Sequence, residues 1–410
     1  MKLFNILAVL ITLSAGFSYL NHRFIRLPNA IGLMIIALLV SLGLTALGPF
    51  DFGLEEEAKR LLANIDFDET LLHGMLSFLL FAGALHVNLE NLAEQKWIIG
   101  LLATVGVLCS SVIIGFVSRW VLSLLGINLP LIYSLLFGAV VSPTDPIAVL
   151  GILKKAGVPQ TLETKITGES LFNDGVAVVI FLIFLKIATG THEVTAASVL
   201  GLFIKEALGG ALFGFLIGLV AYWMLKSIDN YQVEILITLA LVTGGFALAD
   251  EMHLSGPIAI VVAGLVIGNH GRLLAMSDQV REHLDMFWEL VDEVLNAVLF
   301  LLIGLEVLAL TFTRAYFIAG ALLIPLLLLT RLISVGGPVL ILRQFRTFSP
   351  HVIKILTWGG LRGGISVALA LSLPPGKHRE VILAITYMVV VFSIIVQGLT
   401  IGKLVKVTRS

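Results

Sequence analysis

Residues 130–153 read PLIYSLLFGAVVSPTDPIAVLGIL, an apolar run of membrane-crossing length broken in its middle by Ser142-Pro143-Thr144-Asp145-Pro146. Each proline removes a backbone donor and clashes with the preceding turn, so one continuous helix is excluded. Irregular backbone at membrane depth is tolerated only where it is buried in protein or lines a water-filled cavity. The run therefore predicts a broken helix whose freed carbonyls around Ser142–Thr144 face a cavity. Asp145 offsets the partial positive charge at the start of the second half-helix. An N-cap made by Asp145 and Thr144 ahead of Pro146 fits the same residues. A second run is interrupted in a similar way by Gly359-Gly360-Leu361-Arg362-Gly363-Gly364, where four glycines lower helix propensity and one arginine sits near mid-span.

Working outward, the 410-residue chain is 58% hydrophobic and only 13% charged, about half the charged share of a soluble protein. A water-soluble enzyme is close to excluded. A net charge of -1 argues against a nucleic-acid partner, and the single cysteine, Cys109, rules out an intrachain disulfide. Apolar runs predict an all-α membrane protein of about 13 spans, near 3–20, 28–48, 70–89, 98–118, 130–153, 164–187, 199–225, 231–249, 254–270, 290–311, 316–342, 354–373 and 380–402. The first follows Lys2 and has the length of a signal peptide, but no clear small-x-small cleavage site precedes Asn21, so it is read as a helix. Lys and Arg number about 15 on the side shared with the C-terminus and about 9 on the other, which predicts a cytoplasmic C-terminus and an external N-terminus. The acidic loop near 49–69 predicts a short amphipathic helix with a solvated face.

The broken runs are spans 5 and 12, so they lie in opposite orientations. That is the pattern of an inverted repeat, about 1–187 against about 231–402, with the substrate site where the discontinuous helices meet. Span 6 supplies the densest polar group, Gly168-Glu169-Ser170-Leu171-Phe172-Asn173-Asp174. Helical spacing sets Glu169 beside Asn173 and Ser170 beside Asp174, forming one face of two acids, a hydroxyl and an amide. Charges at bilayer depth cost at least ~2.5–3.5 kcal/mol each, so this face must look into the bundle. Its oxygens suit a hard monovalent cation. A polar clamp between helices would need no second acid. Asp174, deepest from the cytoplasmic end, is the expected carrier, because its carboxylate holds a proton or a cation but not both well.

Arg362 needs a carboxylate if buried, and Glu169 is the expected partner, leaving Asp174 without a counter-ion. Arg331 in span 11 is read as a structural charge, with Asp292 or Glu293 as partner. Asp250 and Glu306 read as snorkelled or capping acids. His73 and His86 read as interfacial histidines. Gly210, Gly214 and Gly218 permit close helix contact.

Ser-Pro-Thr-Asp-Pro, then Gly-Glu-Ser-Leu-Phe-Asn-Asp, then Gly-Gly-Leu-Arg-Gly-Gly resembles the NhaP-type sodium/proton antiporters of the cation:proton antiporter-1 group, relatives of the animal sodium/hydrogen exchangers. Leu295 to Glu306 matches that pattern too. The resemblance implies a homodimer in the cell membrane. A core of helices near 98–187 and 316–402 would move against a dimerisation scaffold near 1–89 and 199–311. It implies exchange of Na⁺, or K⁺ or Li⁺, for H⁺ by alternating access, serving pH and cation homeostasis, with no cofactor beyond the transported ions and no enzymatic activity. It implies that Glu169, Ser170 and the backbone near Thr144 help Asp174 bind the ion, that Asn173 goes with electroneutral exchange, and that Arg362 steadies the acids. One departure stands out: many relatives carry an acid in span 3, where this chain reads Phe81-Ala82-Gly83-Ala84-Leu85. The alternatives from other classes are a cation channel with the same cavity and an intramembrane protease using Asp145 and Asp174.

Overall fold

The computed structural model describes the chain except for residues 1–2, 48–55, 58, 61–69, 71–73, 146–149, 151, 154–156, 191–195, 345–347, 349–350 and 410. The described residues form helices and connections, with no strand. In chain order the helices are α1 (Leu3–Leu20), α2 (Asn29–Leu47), α3 (Leu76–Leu85), α4 (Lys96–Leu124), α5 (Leu131–Val141), α6 (Gln160–Ala188) and α7 (Ala196–Lys226). There follow α8 (Tyr231–Glu251), α9 (Gly256–Val266), α10 (Asp278–Leu305), α11 (Arg314–Leu342), α12 (Val352–Gly359), α13 (Gly364–Leu371) and α14 (Lys377–Val407).

Eight of these helices are long and apolar enough to cross a membrane, and nine if α12 and α13 count as one bent span. The expected count of 13 exceeds this for physical reasons. The helices α3 and α9 are short apolar segments, and α5 stops at Val141 where the prolines begin. In α10 the first half is charged, from Asp278 to Glu293, and only the second half is apolar. Large apolar side chains such as Leu208, Leu212, Phe215 and Trp223 stand exposed on α7, as acyl tails but not water would favour. The protein is a multi-pass integral membrane protein.

The interior divides into two apolar clusters. The smaller joins α3, α7, α8, α9 and α10 and holds the buried Trp288 of α10, whose indole N–H donates to Thr238 Oγ1 at 3.1 Å. Along α7 the glycine stripe does what its spacing predicts: a Cβ on Gly214 would strike the Ala259 backbone of α9. In the larger cluster α4 packs along α5, and α11 packs against both α4 and α14. The acidic loop expectation lies mostly outside the described residues; within it Arg60 sits 3.7 Å from Glu56 and 3.4 Å from Glu57. His73 also lies outside them.

Candidate functional site

The two interruptions meet. After α5 ends, Ser142 to Asp145 run without helical bonds, and α12 and α13 bend by 46° across Gly360 to Gly363. The Asp145 amide donates to the Leu361 carbonyl at 2.7 Å, joining one break to the other. The joint is close enough that a Cβ on Gly363 would fall on the Asp145 carboxylate, which is why glycine stands there. The glycine-rich break is tied to α14 as well: the Arg362 amide donates to Ser393 Oγ at 2.9 Å, and Gln397 Nε2 donates to the Trp358 carbonyl at 2.9 Å.

Along α6 the expected polar face is present and turned inward. Glu169, Ser170 and Asn173 are buried, and Asp174 is 7% exposed. This face grips the first break through Thr144. Asn173 Nδ2 donates to Thr144 Oγ1 at 2.7 Å, the Thr144 amide donates to Asn173 Oδ1 at 3.4 Å, and the Ser170 hydroxyl donates to the Thr144 carbonyl. The polar-clamp reading therefore describes Ser170 and Asn173 well, but it does not use Asp174. Ser142 turns away: its hydroxyl donates to the Gly138 carbonyl at 2.6 Å and accepts from Ser111 on α4 at 3.1 Å. Of the freed carbonyls, that of Thr144 is taken by Ser170.

The charge pairing differs from the sequence expectation. Glu169 pairs with Arg331, Nη1 to Oε1 2.6 Å, and both side chains are buried. Neither the Arg362–Glu169 pairing nor the Arg331 pairing with Asp292 or Glu293 is formed. The reason lies in the helix break. Gly360 leaves room for the Arg331 guanidinium, whose Nε would lie 2.7 Å from a Cβ at that position, and α11 crosses α12 there. Arg362, 2% exposed, does different work: its Nε donates to the Val141 carbonyl at 3.0 Å and its Nη1 to the Gly360 carbonyl at 2.6 Å. Those carbonyls end α5 and α12, so one guanidinium satisfies acceptors that the breaks leave without helical donors.

Asp174 is left facing a cavity of about 260 Å³ whose wall also carries Asp145, Asp292, Ser170 and Thr167. Among the described residues it has neither a hydrogen-bond partner nor a counter-ion. A wider recess of about 790 Å³ lies next to this cavity, lined by His86, Asn88, Glu163 and Glu289, with Asp292 again among its wall residues. His86 Nδ1 lies 2.8 Å from the Ala82 carbonyl, so its ring is turned along α3. Sequence reasoning placed Asp292 only as a partner of Arg331 and missed it as a residue of the cavity wall; the available signal was its i,i+4 spacing from Asn296 at the edge of an apolar run.

The sequence profile of the sodium/hydrogen exchanger transmembrane family matches residues 9–407. The Na⁺/H⁺ antiporter NhaP of Pseudomonas aeruginosa is 52% identical over 98% of this chain and 96% of its own length. The Na⁺/H⁺ antiporter NhaH of Halobacillus dabanensis is 37% identical over 94% and 93%. In fold, the sodium proton antiporter MjNhaP1 of Methanocaldococcus jannaschii at pH 8 superposes with a TM-score of 0.77 over 99% of both chains at 19% identity. Family profile, relatives matched over nearly their full length and fold agree, and the chain belongs to the sodium/hydrogen exchanger family.

Proposed function

We propose that this protein is a secondary antiporter that exchanges Na⁺ for H⁺ across the cell membrane by alternating access. One observation carries the reading: Glu169 is neutralised by Arg331, whereas Asp174 faces the cavity with no counter-ion among the described residues. A buried carboxylate without a partner is costly unless something neutralises it. A proton does so, and so does a monovalent cation, but each excludes the other. Occupancy by one therefore requires release of the other, which is exchange.

Ser170, Asn173 and Thr144 form the rigid frame around that carboxylate, and Asp145 adds a second acid to the cavity wall. With the Thr144 carbonyl bound by Ser170, the first cation ligands are the side-chain oxygens of Asp174 and Ser170, and Glu169 supports them through its ion pair. Arg362 holds the two breaks together and Ser142 fixes the end of α5 to α4. The recess beside the cavity opens among residues 86–91 and 158–164, the side assigned to the cytoplasm by the Lys and Arg count, so the structure is read as inward-facing. The helices near 98–187 and 316–402 would then move against those near 1–89 and 199–311 in a homodimer. K⁺ or Li⁺ is carried by the same mechanism if the cavity admits it.

Asn173 adds no charge beside Asp174, so one proton is expected to leave for each Na⁺ bound. In proteoliposomes made tight to other ions, Na⁺ gradients should drive proton movement without generating a membrane potential. Lowering pH should raise the KM for Na⁺ and leave the maximal rate at saturating Na⁺ unchanged. A potential generated by the purified protein contradicts the electroneutral stoichiometry. Flux of Na⁺ indifferent to the proton gradient contradicts exchange itself and indicates a channel.

A further inference from the structure

The cavity of Asp174 and the outer recess share four wall residues, Gly83, Leu150, Thr167 and Asp292. Asp292 is the one ionisable group among them. Glu163 and Glu289 line the recess alone, and Asp174 and Asp145 line the cavity alone. Asp292 stands on α10, the helix that faces the site from across the cavity and packs against α3 and α13. Its carboxylate is half-buried, bonds the Asn296 amide one turn along the helix, and has no lysine or arginine paired to it among the described residues. The groups facing it are His86 just past the end of α3 and Asp145 in the first break, besides its helix neighbours Glu289 and Glu293.

A cation moving from the recess to Asp174 must shed water while passing a glycine, a leucine and a threonine. A monovalent charge in such a neck is costly without a compensating one. We propose that Asp292 is the station at which the cation passes from the recess to Asp174, and that it sets the affinity for Na⁺ on the face where the recess opens. The inference rests on the reading of Asp174 as carrier and adds a second acid, from a helix on the opposite wall.

The test is the KM for Na⁺ on each face, measured in everted and in right-side-out vesicles. An acid focusing cations in a low-dielectric cleft raises their local concentration about tenfold or more. Asp292→Asn should therefore raise KM about tenfold on one face only, with the maximal rate changed less than about twofold. Asp292→Glu should stay near the parent value. Gly83→Asp added to Asp292→Asn should restore KM, since a Cβ at Gly83 meets only Leu171 Cδ1 at 3.8 Å and the position lines both hollows. An unchanged KM on both faces overturns the proposal. So does an equal rise from Glu289→Gln, which would mean a diffuse acidic recess. Where Asp292→Asn does not fold, the double variant decides: parental KM supports the station, and a KM still raised on one face overturns it. Asp174→Asn run alongside separates this outcome from failure of the carrier reading, because exchange by that variant removes the carrier and leaves the KM comparison standing by itself.

Discussion

Asp174→Asn is expected to abolish Na⁺-driven proton movement, leaving no cation-dependent dequenching of a ΔpH-sensitive dye in everted vesicles. Asparagine has the shape of aspartate but neither ionises nor takes up a proton in this range, so it removes the property that the account requires. Folding should survive the change. The side chain faces a cavity and, among the described residues, no hydrogen bond or ion pair depends on it, so removing its charge relieves a burial cost instead of orphaning a partner. Retained expression and unaltered thermal unfolding of the detergent-solubilised protein are therefore part of the expected result. Loss of transport through misfolding would not count in its favour.

The second large effect is on stability. Arg331 and Glu169 are both buried and form an ion pair, Nη1 to Oε1 2.6 Å. Removing one partner of such a pair leaves an uncompensated buried charge, at a cost of about 3–5 kcal/mol. Arg331→Met alone should lower the thermal unfolding midpoint sharply, and Glu169→Gln alone should do so for the opposite charge. The double variant should recover much of the loss, because replacing a buried pair by neutral groups of similar size is often close to neutral. Two single variants as stable as the parent would show that the pair does not hold α6, α11 and α12 together. The same comparison separates Glu169 from Asp174: one acid is part of the scaffold of the site, the other is its working group.

Much of this site is legible in the sequence because it follows from local chemistry. Two prolines three residues apart, Pro143 and Pro146, mark one interruption, and four glycines around Arg362 mark the other by lowering helix propensity together. The inward face of α6 follows from i,i+4 spacing and the cost of charge in lipid. Charge pairing did not follow in the same way. Glu169 and Arg331 lie on helices far apart in the chain, and what brings them together is a crossing angle and the empty space at Gly360. A buried Arg362 needs a carboxylate, and Glu169 is the expected partner because Asp174 is then left without a counter-ion. Yet a break creates unsatisfied carbonyls as well as space, and Arg362 is spent on those of Val141 and Gly360. Ser142 shows the same limit: its position in the motif was readable, its rotamer was not. Length and charge pull apart in α10, whose charged half carries Asp292 to the cavity wall.

The most direct test of the central claim is calorimetric titration of Na⁺ into the purified protein in two buffers of different ionisation enthalpy, which reads the protons released on binding. The account predicts one proton released for each Na⁺ bound by the parent and none by Asp174→Asn. Sodium binding by the parent without proton release, or equal release by the variant, would contradict a single carboxylate shared between the two ions.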